Sequence, residues 1–173
     1  MTGGASAYRE SVAVDATLYD YAVRLLREHR WTGLAMVEFK ANGAGAKLME
    51  INGRVWGSLP LAVASGVDFP GMLADLYLLG IDSIKPQVRS EYKLGVRCRD
   101  LQRDLMWITS VLTGRQRYAF IKMPSRARAL RALLGLFNPR RRFDLQTLDD
   151  PLPGLAELPR IVVKFRKKMS EAE

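Results

Sequence analysis

Four polar residues around the segment LMEINGRVWGS, residues 48–58, have the types and spacing of a ligand site. Glu50, Asn52 and Arg54 occupy alternate positions, and Glu38 precedes Glu50 by twelve residues in another strand-like run. Alternate residues of a β-strand point to the same side of the sheet. We therefore expect two carboxylates, an amide and a guanidinium on one surface, a set that binds a divalent cation with an anion beside it.

The apolar residues between these polar groups predict how the two strands pair. If NGAGA, residues 42–46, forms the loop, the runs GLAMVEFK and AKLMEIN make an antiparallel hairpin. Val37 then faces Ile51 and Phe39 faces Met49, so that one face of the hairpin is wholly apolar. A slip of one residue mixes apolar and polar side chains on both faces, and the pattern therefore favours this register.

The opposite face of the hairpin carries the two carboxylates. Glu38 lies directly across from Glu50, with Cβ atoms expected about 4.5–5.5 Å apart, a distance at which like charges repel each other. Asn52 adds a neutral oxygen, and this all-oxygen set suits Mg²⁺, which completes its shell with water and substrate phosphates. Arg54, one step further along, is placed to hold a phosphate or carboxylate. The alternative is a solvated hairpin face without a ligand.

Helices on both sides of the hairpin are expected to cover its apolar face. Three are predicted in the first half, in DATLYDYAVRLLREHRW, SLPLAVASG and DFPGMLADLYLLG, with Asp15 and Asp68 as N-caps and Gly80 as a stop. The second half adds the strand-like YKLGVRCR and the helical segments DLQRDLMWITSVLTG and SRARALRALLGLF. This alternation predicts an α+β fold, an antiparallel sheet with flanking helices.

Charge divides the chain after Asp82. Residues 1–82 hold 7 Lys and Arg against 9 Asp and Glu, whereas residues 83–173 hold 20 against 9, a net charge of +11. We interpret the first part as a catalytic unit and the second as a basic, mainly helical extension. A block with this charge attracts nucleic acid, anionic lipid or an acidic partner.

The segment SRARALRALLGLFNPRRR, residues 125–142, concentrates this basic charge beside apolar residues at helical spacing. In one interpretation its apolar face packs on the catalytic sheet and its arginines are solvated or approach an acidic substrate. In the other it lies weakly on an anionic membrane surface or grips phosphate backbones. No zinc-knuckle, RNA-recognition or helix-turn-helix pattern is present, so we expect no specific nucleic-acid partner.

The remaining reactive residues predict no second site. Cys98 is the single cysteine, which fits a reducing environment, and neither a signal peptide nor a transmembrane segment is evident; we expect a soluble cytoplasmic protein. Arg97 and Arg99 beside Cys98 would lower the pKa of its thiol, although a thiol on a half-buried strand is the simpler interpretation. His29, the single histidine, is expected at a helix end without a catalytic role.

GLAMVEFK and LMEINGRVWGSLPLAVASGVDFP resemble the C-terminal catalytic part of ATP-grasp enzymes, a superfamily that includes carboxylate–amine ligases and carbamoyl-phosphate synthetase. The resemblance extends over roughly residues 1–82. In that family a Glu on one strand and a Glu-x-Asn-x-Arg on the next bind the Mg²⁺ ions that bridge the phosphates of ATP. The resemblance therefore implies ATP and Mg²⁺ as cofactors, with Mn²⁺ as an alternative to Mg²⁺.

Carried over residue by residue, the resemblance implies a role for each polar group of the hairpin. Glu38 and Glu50 would hold the metal ions and through them the nucleotide, and Asn52 would complete the ligands of one ion. Arg54 would stabilise charge on the transferring phosphoryl group or the acyl phosphate. The implied reaction transfers the γ-phosphoryl group of ATP to a small-molecule carboxylate, and an amine or another nucleophile then attacks the acyl phosphate.

The chain also departs from the family pattern. GGASAYRESV resembles the segment that enters the catalytic half, where Arg9 and Glu10 would reach the phosphates or the substrate. Only 37 residues precede Glu38, too few for the nucleotide-binding lysines, the phosphate loop and the adenine segment of a complete enzyme. We expect a C-terminal piece that is inactive alone and needs an N-terminal half in cis or in trans. The competing hypothesis is a non-catalytic basic module in which residues 83–173 contact a membrane surface or nucleic acid.

Overall fold

The computed structural model describes residues 6–42, 45–87, 91–114, 122–138 and 141–170, and for residues 165–170 it describes the backbone alone. The chain forms two compact units. Residues 10–96 form the first, which we call the hairpin unit, and residues 1–9 with 97–173 form the second, the basic unit. The change in charge after Asp82 therefore lies inside the hairpin unit, which continues to Val96.

The described residues form an α+β fold, as predicted. In chain order the elements are β1 (Tyr8–Glu10), α1 (Ala16–Glu28), β2 (Met36–Asn42), β3 (Gly45–Asn52), α2 (Leu59–Ala64), α3 (Phe69–Leu79), α4 (Ile81–Ile84), β4 (Arg97–Arg99), α5 (Leu101–Thr113), α6 (Arg126–Gly135), β5 (Arg142–Phe143) and α7 (Pro151–Ser170). Strands β2 and β3 make the antiparallel hairpin, while β1, β4 and β5 form a second sheet in that order, with β4 and β5 parallel. The second sheet was not predicted.

Helices α1 and α3 begin and end where the sequence predicts. The carboxylate of Asp15 accepts hydrogen bonds from the backbone N–H groups of Thr17 and Leu18 at 2.9 and 3.0 Å, and thereby caps the N-terminus of α1. Asp68 caps α3 by accepting from the backbone N–H of Gly71 at 3.0 Å. Gly80, with φ +89°, ends α3 because its backbone adopts a conformation that residues with a Cβ rarely reach.

A cluster of hydrogen bonds joins the two ends of the hairpin unit. Buried Ser11 donates its hydroxyl to the carbonyl of Lys93 at 2.7 Å and accepts from the backbone N–H of Val96 at 2.9 Å. The backbone N–H of Lys93 in turn donates to the carbonyl of Ser65, at 2.9 Å, at the end of α2. The segment that enters the unit and the segment that leaves it are thus fastened to each other and to α2.

The hairpin unit leaves much of its apolar surface open. Among its described residues, Leu59 is the one hydrophobic side chain that is fully buried. The end of α3 exposes Tyr77, Leu78 and Leu79, each more than two thirds accessible.

The core of the basic unit lies between α5 and α6. Ile108 and Val111 of α5 pack against Ala129 of α6, and all three are buried. Leu133 and Leu136, one and two turns further along α6, cover the same cluster. The face of α6 that carries Ala129 thus contacts α5, and packing of α6 on the catalytic sheet stays a prediction.

Two ion pairs join the strands and helices of the basic unit. Arg99 in β4 donates two hydrogen bonds to the buried carboxylate of Asp104 in α5, the longer of them 2.7 Å. Arg9 in β1 donates to Asp144 at 2.8 Å. Burial raises the pKa of Asp144, although the hydrogen bond from Arg9 opposes this effect. The first pair joins the central strand β4 to α5, and the second joins β1 to the residue that follows β5.

The elements that the sequence did not predict are short or begin with proline. Strands β1 and β5 have three and two residues, too few to show an alternating pattern. Helix α7 contains Pro151 and Pro153 in its first turn, where the missing N–H is tolerated, and Pro159 in its interior. None of the helices in the described ranges has the length and apolar composition required to cross a bilayer.

Candidate functional site

The hairpin brings the two predicted carboxylates together. Glu38 of β2 and Glu50 of β3 are direct partners across the antiparallel pair, flanked by the pairs Val37 with Ile51 and Met36 with Asn52. These pairings confirm the predicted register in this part of the hairpin. Val37 and Ile51 are half-buried, whereas both glutamates are exposed, so the two faces differ in solvent access as the pattern indicates.

A β-bulge next to the carboxylates corrects the prediction for the rest of the hairpin. The register shifts between Glu38 and Phe39, so that Phe39 pairs with Leu48 and Met49 is the extra residue. The predicted pair of Phe39 and Met49 is therefore wrong, and Met49 is more than half exposed instead of completing the apolar face. A bulge bends the strand and re-aims the neighbouring side chains, and such bulges are frequent beside active sites.

The loop of the hairpin is shorter than predicted. Strand β2 continues to Asn42 and β3 resumes at Gly45, with these two residues paired. Of the predicted loop, residues 43–44 lie outside the described residues. Gly45, at φ +141°, begins β3 in a backbone conformation that disfavours residues with a Cβ.

The environment of the two glutamates suits a divalent cation. Neither Glu38 nor Glu50 forms a hydrogen bond or ion pair with any residue that the structure describes, so no cationic side chain offsets their repulsion. Asn52, on the same strand face as Glu50, is half-buried and supplies an amide oxygen. No cluster of three or more His, Cys, Asp or Glu occurs among the described residues. The two carboxylates and the amide oxygen of Asn52 fit a Mg²⁺ ion that takes its other ligands from water and phosphate.

Arg54 lies outside the strand. Because β3 ends at Asn52, strand alternation does not place Arg54 on the face of the carboxylates, and that geometric part of the prediction is wrong. The exposed guanidinium of Arg54 donates one hydrogen bond, at 3.1 Å, to the carbonyl of the next residue, Val55. Its other N–H groups remain available for an anion, so its proposed role depends on the conformation of this turn and not on the sheet.

Trp31 and Gly53 hold this turn, a feature that the sequence analysis missed. The indole N–H of Trp31 donates to the carbonyl of Leu34 at 3.1 Å, which fixes the ring just before β2. A Cβ on Gly53 would lie 2.2 Å from the Cη2 atom of this ring. The ring therefore packs directly on the backbone between Asn52 and Arg54. The Asn-Gly-Arg sequence carried a signal for this contact, since a glycine between two functional residues indicates a close approach.

We expect Gly53→Ala to lower the free energy of unfolding by about 1–3 kcal/mol, the usual cost of overpacking a filled site. The added methyl group must displace the Trp31 ring or the backbone beside it. Thermal unfolding followed by circular dichroism measures the change. Gly57→Ala is the matched control, because a Cβ at Gly57 meets nothing within 4 Å. Equal stability of the two variants would show that the Trp31 ring does not pack on Gly53.

Helices α2 and α3 anchor the chain that follows the turn. Ser58, at the N-terminus of α2, donates its hydroxyl to the sulfur of Met36 in β2 at 3.8 Å. Trp56 packs edge-on against Phe69, at the start of α3, with ring centroids 5.8 Å apart. Leu59 is buried beneath them. The segment from Arg54 to α3 is therefore tied both to the hairpin and to α3.

Arg9 belongs to the basic unit. Its guanidinium donates to Asp144 at 2.8 Å, to the hydroxyl of Ser6 at 3.3 Å and to the Ser6 carbonyl at 3.0 Å, and its side chain is almost wholly buried. These bonds use one N–H of each of the three guanidinium nitrogens. The assignment of Arg9 as a nucleotide-binding residue stays a prediction.

Cys98 and His29 carry no catalytic arrangement. Cys98 is 1% exposed. Burial, and next the charge of Asp144, raise the pKa of its thiol, while Arg142 and Arg9 lower it by less. The prediction that neighbouring arginines lower the pKa of this thiol is wrong, because desolvation disfavours the thiolate more than the cations favour it. His29 is the C-cap of α1, as predicted for a residue at a helix end.

A cavity of about 480 Å³ lies elsewhere in the hairpin unit, lined by Gly66, Val67, Asp68, Met72, Pro86 and Gln87. Its polar groups serve the local fold. Asp68 caps α3, and the side-chain amide of Gln87 donates to the carboxylate of Asp75 at 2.7 Å. None of the hairpin's polar residues lines this cavity, so the opposed glutamates remain the stronger candidate site.

The family to which the chain belongs follows from comparison with known proteins. A family profile described as "ATP-grasp in the biosynthetic pathway with Ter operon" matches residues 3–103, more than half of the chain. The matched region contains the hairpin with Glu38 and Glu50 and the turn that follows it. No curated protein and no solved structure gave a significant match. Together with the opposed glutamates and the Asn-Gly-Arg turn, this match assigns the chain to the ATP-grasp superfamily, as a part of a ligase-type protein.

Proposed function

We propose that the chain supplies the metal-binding and acyl-phosphate side of an ATP-grasp ligase active site. The observation that carries this proposal is the pairing of Glu38 with Glu50 on an exposed face, where neither has a cationic partner among the described residues. Retaining such a repulsive pair is unfavourable by itself. It becomes favourable when a divalent cation bound to ATP phosphates lies between the two carboxylates.

In this proposal each residue has one task. Glu38 and Glu50 bind Mg²⁺, or Mn²⁺ in its place, and Asn52 contributes its amide oxygen to the same ion. The metal neutralises charge on the phosphates of ATP during transfer of the γ-phosphoryl group to a small-molecule carboxylate. Arg54 holds the acceptor carboxylate or the resulting acyl phosphate through a charge-assisted hydrogen bond. An amine or another nucleophile then displaces the phosphate.

We further propose that a nucleotide-binding half completes the site, joined to this chain or supplied as a separate subunit. The open apolar surface of the hairpin unit, where Leu59 is the one buried hydrophobic side chain among the described residues, supports this proposal. The chain alone is then inactive in phosphoryl transfer. The reaction belongs in the cytoplasm, where ATP is abundant and the thiol of Cys98 stays reduced.

Electron paramagnetic resonance with Mn²⁺ and ATP tests the site directly. We expect Mn²⁺·ATP to bind to this chain through the metal alone, since the proposed nucleotide contacts belong to the other half, and Glu50→Gln to weaken this binding at least about tenfold, because one of two charged ligands is lost. In the absence of metal, Glu50→Gln should be as stable as the wild type or more stable by up to about 1 kcal/mol, since a like-charge pair has been removed.

The matched control is Glu28→Gln, which removes one negative charge from the exposed end of α1 in the same unit. It should leave Mn²⁺·ATP binding unchanged. Equal binding by Glu50→Gln and the wild type would overturn the metal site. A marked loss of metal-free stability in Glu50→Gln would also overturn it, because Glu50 would then have a structural partner instead of an opposed carboxylate.

A further inference from the structure

The surface of α6 in the basic unit is independent of the proposed ligase site. Helix α6 buries Ala129, Leu133 and Leu136 against α5, yet it also carries apolar residues on a side that no described residue covers. Leu130, Leu134 and Phe137 are 51, 73 and 81% exposed. Leu130 and Leu134, four residues apart, align on one side of α6, and Phe137 follows in the turn just after the helix ends at Gly135. We call these three residues the apolar stripe.

Arg126 and Arg131 lie beside the apolar stripe, whereas Arg128, two residues before Leu130, lies on another side of α6. Arg126, Arg128 and Arg131 are exposed on the same helix, with Arg126 one turn before Leu130 and Arg131 three residues before Leu134. The sequence of α6, RARALRALLG, contains no acidic residue. The stripe is therefore bordered by positive charge without compensating carboxylates on its own helix.

The positive charge continues beyond α6. Residues 105–143 contain nine Lys and Arg and no Asp or Glu, although the whole chain has 18 acidic residues. Arg141 lies against the end of the helix. A Cβ placed on Gly135 would be 2.5 Å from the Nη2 atom of Arg141. The guanidinium of Arg141 thus lies over the last turn of α6, close in sequence to Phe137.

We propose that this face of α6 docks on a membrane surface that contains anionic phospholipids. Leu130, Leu134 and Phe137 would enter the boundary between headgroups and acyl chains, and the arginines would contact lipid phosphates. Interfacial helices combine these two features, an apolar side with Phe and Leu and a basic polar side, and their length is not decisive. Arginine suits the phosphate contact because its planar guanidinium binds oxygen pairs.

Two other occupants fit the surface less well. A nucleic acid would use the arginines but gives no reason for three exposed apolar side chains in one stripe. A second copy of the chain, packed stripe to stripe, would bring the arginines of both copies together without acidic partners on this helix. Anionic lipid explains both the apolar stripe and the excess of positive charge.

Co-sedimentation of the complete chain with vesicles tests the proposal, at about 0.15 M salt so that weak surface charge effects are screened. Vesicles of phosphatidylcholine with phosphatidylglycerol are compared with vesicles of phosphatidylcholine alone. We expect binding to the anionic vesicles. The double variant Leu130→Ser, Phe137→Ser should reduce it at least about tenfold, because two exposed apolar side chains are lost from the contact. The triple variant Arg126→Ser, Arg128→Ser, Arg131→Ser should reduce it about a hundredfold, roughly fivefold per arginine.

The matched control is Leu78→Ser with Leu79→Ser, which makes the same kind of change on the exposed end of α3 in the hairpin unit. It should bind vesicles as the wild type does. Because every substituted side chain is exposed, circular dichroism should show all variants folded. An equal loss of binding in the α3 control would overturn the assignment to α6.

Three further results would also overturn the proposal. The first is vesicle binding by Leu130→Ser, Phe137→Ser equal to that of the wild type, since attraction would then be electrostatic alone. The second is binding of duplex DNA that depends on the arginines, without binding to anionic vesicles. The third is a dimer in sedimentation equilibrium that the serine variant abolishes, again without vesicle binding.

Discussion

Arg99→Met is expected to lower the free energy of unfolding by about 3 kcal/mol. Asp104 is buried and receives two hydrogen bonds from Arg99, so the substitution leaves a buried carboxylate without its cation. Removing one partner of a buried ion pair costs about 3–5 kcal/mol. We expect the lower part of this range, because Asp104 lies in the first turn of α5, where the helix dipole favours negative charge.

Urea unfolding followed by far-UV circular dichroism measures this loss. Lys85→Met is the control, since the pair of Lys85 and Asp82 is exposed on both sides and is expected to contribute less than about 1 kcal/mol. The double variant Arg99→Met, Asp104→Leu should recover part of the stability, because no buried charge remains. A loss below about 1 kcal/mol in Arg99→Met would show that Asp104 is hydrated and not buried by the fold.

Cys98 in the native chain is expected to react with iodoacetamide at least about a thousandfold more slowly than in urea. The thiol lies on β4, between β1 and β5, and is 1% exposed, so the sheet must open before the reagent reaches it. Opening of a stable core costs about 4 kcal/mol or more. The raised pKa of the thiol adds to the protection, because the thiolate is the reacting species.

The same pKa shift predicts a dependence of stability on pH. Because the pKa of Cys98 is higher in the folded than in the unfolded chain, its contribution to stability is complete below the ordinary value of 9.0 and is lost as the pH rises through the folded value.

Mass spectrometry of the chain over time measures the rate at which iodoacetamide alkylates Cys98. The control is the double variant Lys85→Cys, Cys98→Ser, in which the single thiol lies at an exposed helix end. This thiol should react rapidly. Rapid alkylation of native Cys98 would contradict the buried position of β4.

The carboxylates of the hairpin and of the basic unit have different partners, and the difference supports the assignment of the site. In the basic unit, the carboxylates of buried Asp104 and half-buried Asp144 each accept hydrogen bonds from an arginine. In the hairpin, Glu38 and Glu50 face each other, and no described residue neutralises them. The two carboxylates that we assign to metal binding thus differ from Asp104 and Asp144 in having no arginine partner among the described residues.

The sequence by itself determined the features that depend on local pattern. The caps at Asp15 and Asp68 and the stop at Gly80 follow from the chemistry of single residues, and the structure confirms each. Alternation of apolar and polar residues likewise determined that Glu38 pairs with Glu50, since any other register mixes the two faces. The family assignment rested on the same residues.

Tertiary structure decided what local pattern leaves open. The bulge at Met49 and the end of β3 at Asn52 were not predictable, because the energy of a strand depends on its partner and on packing such as that of Trp31 on Gly53. The contact of α6 with α5 likewise depends on tertiary packing, in which Ile108 and Val111 of α5 meet Ala129 of α6. The raised pKa of Cys98 was decided by burial, because neighbours in sequence reveal nearby charge but not the solvent that the fold removes.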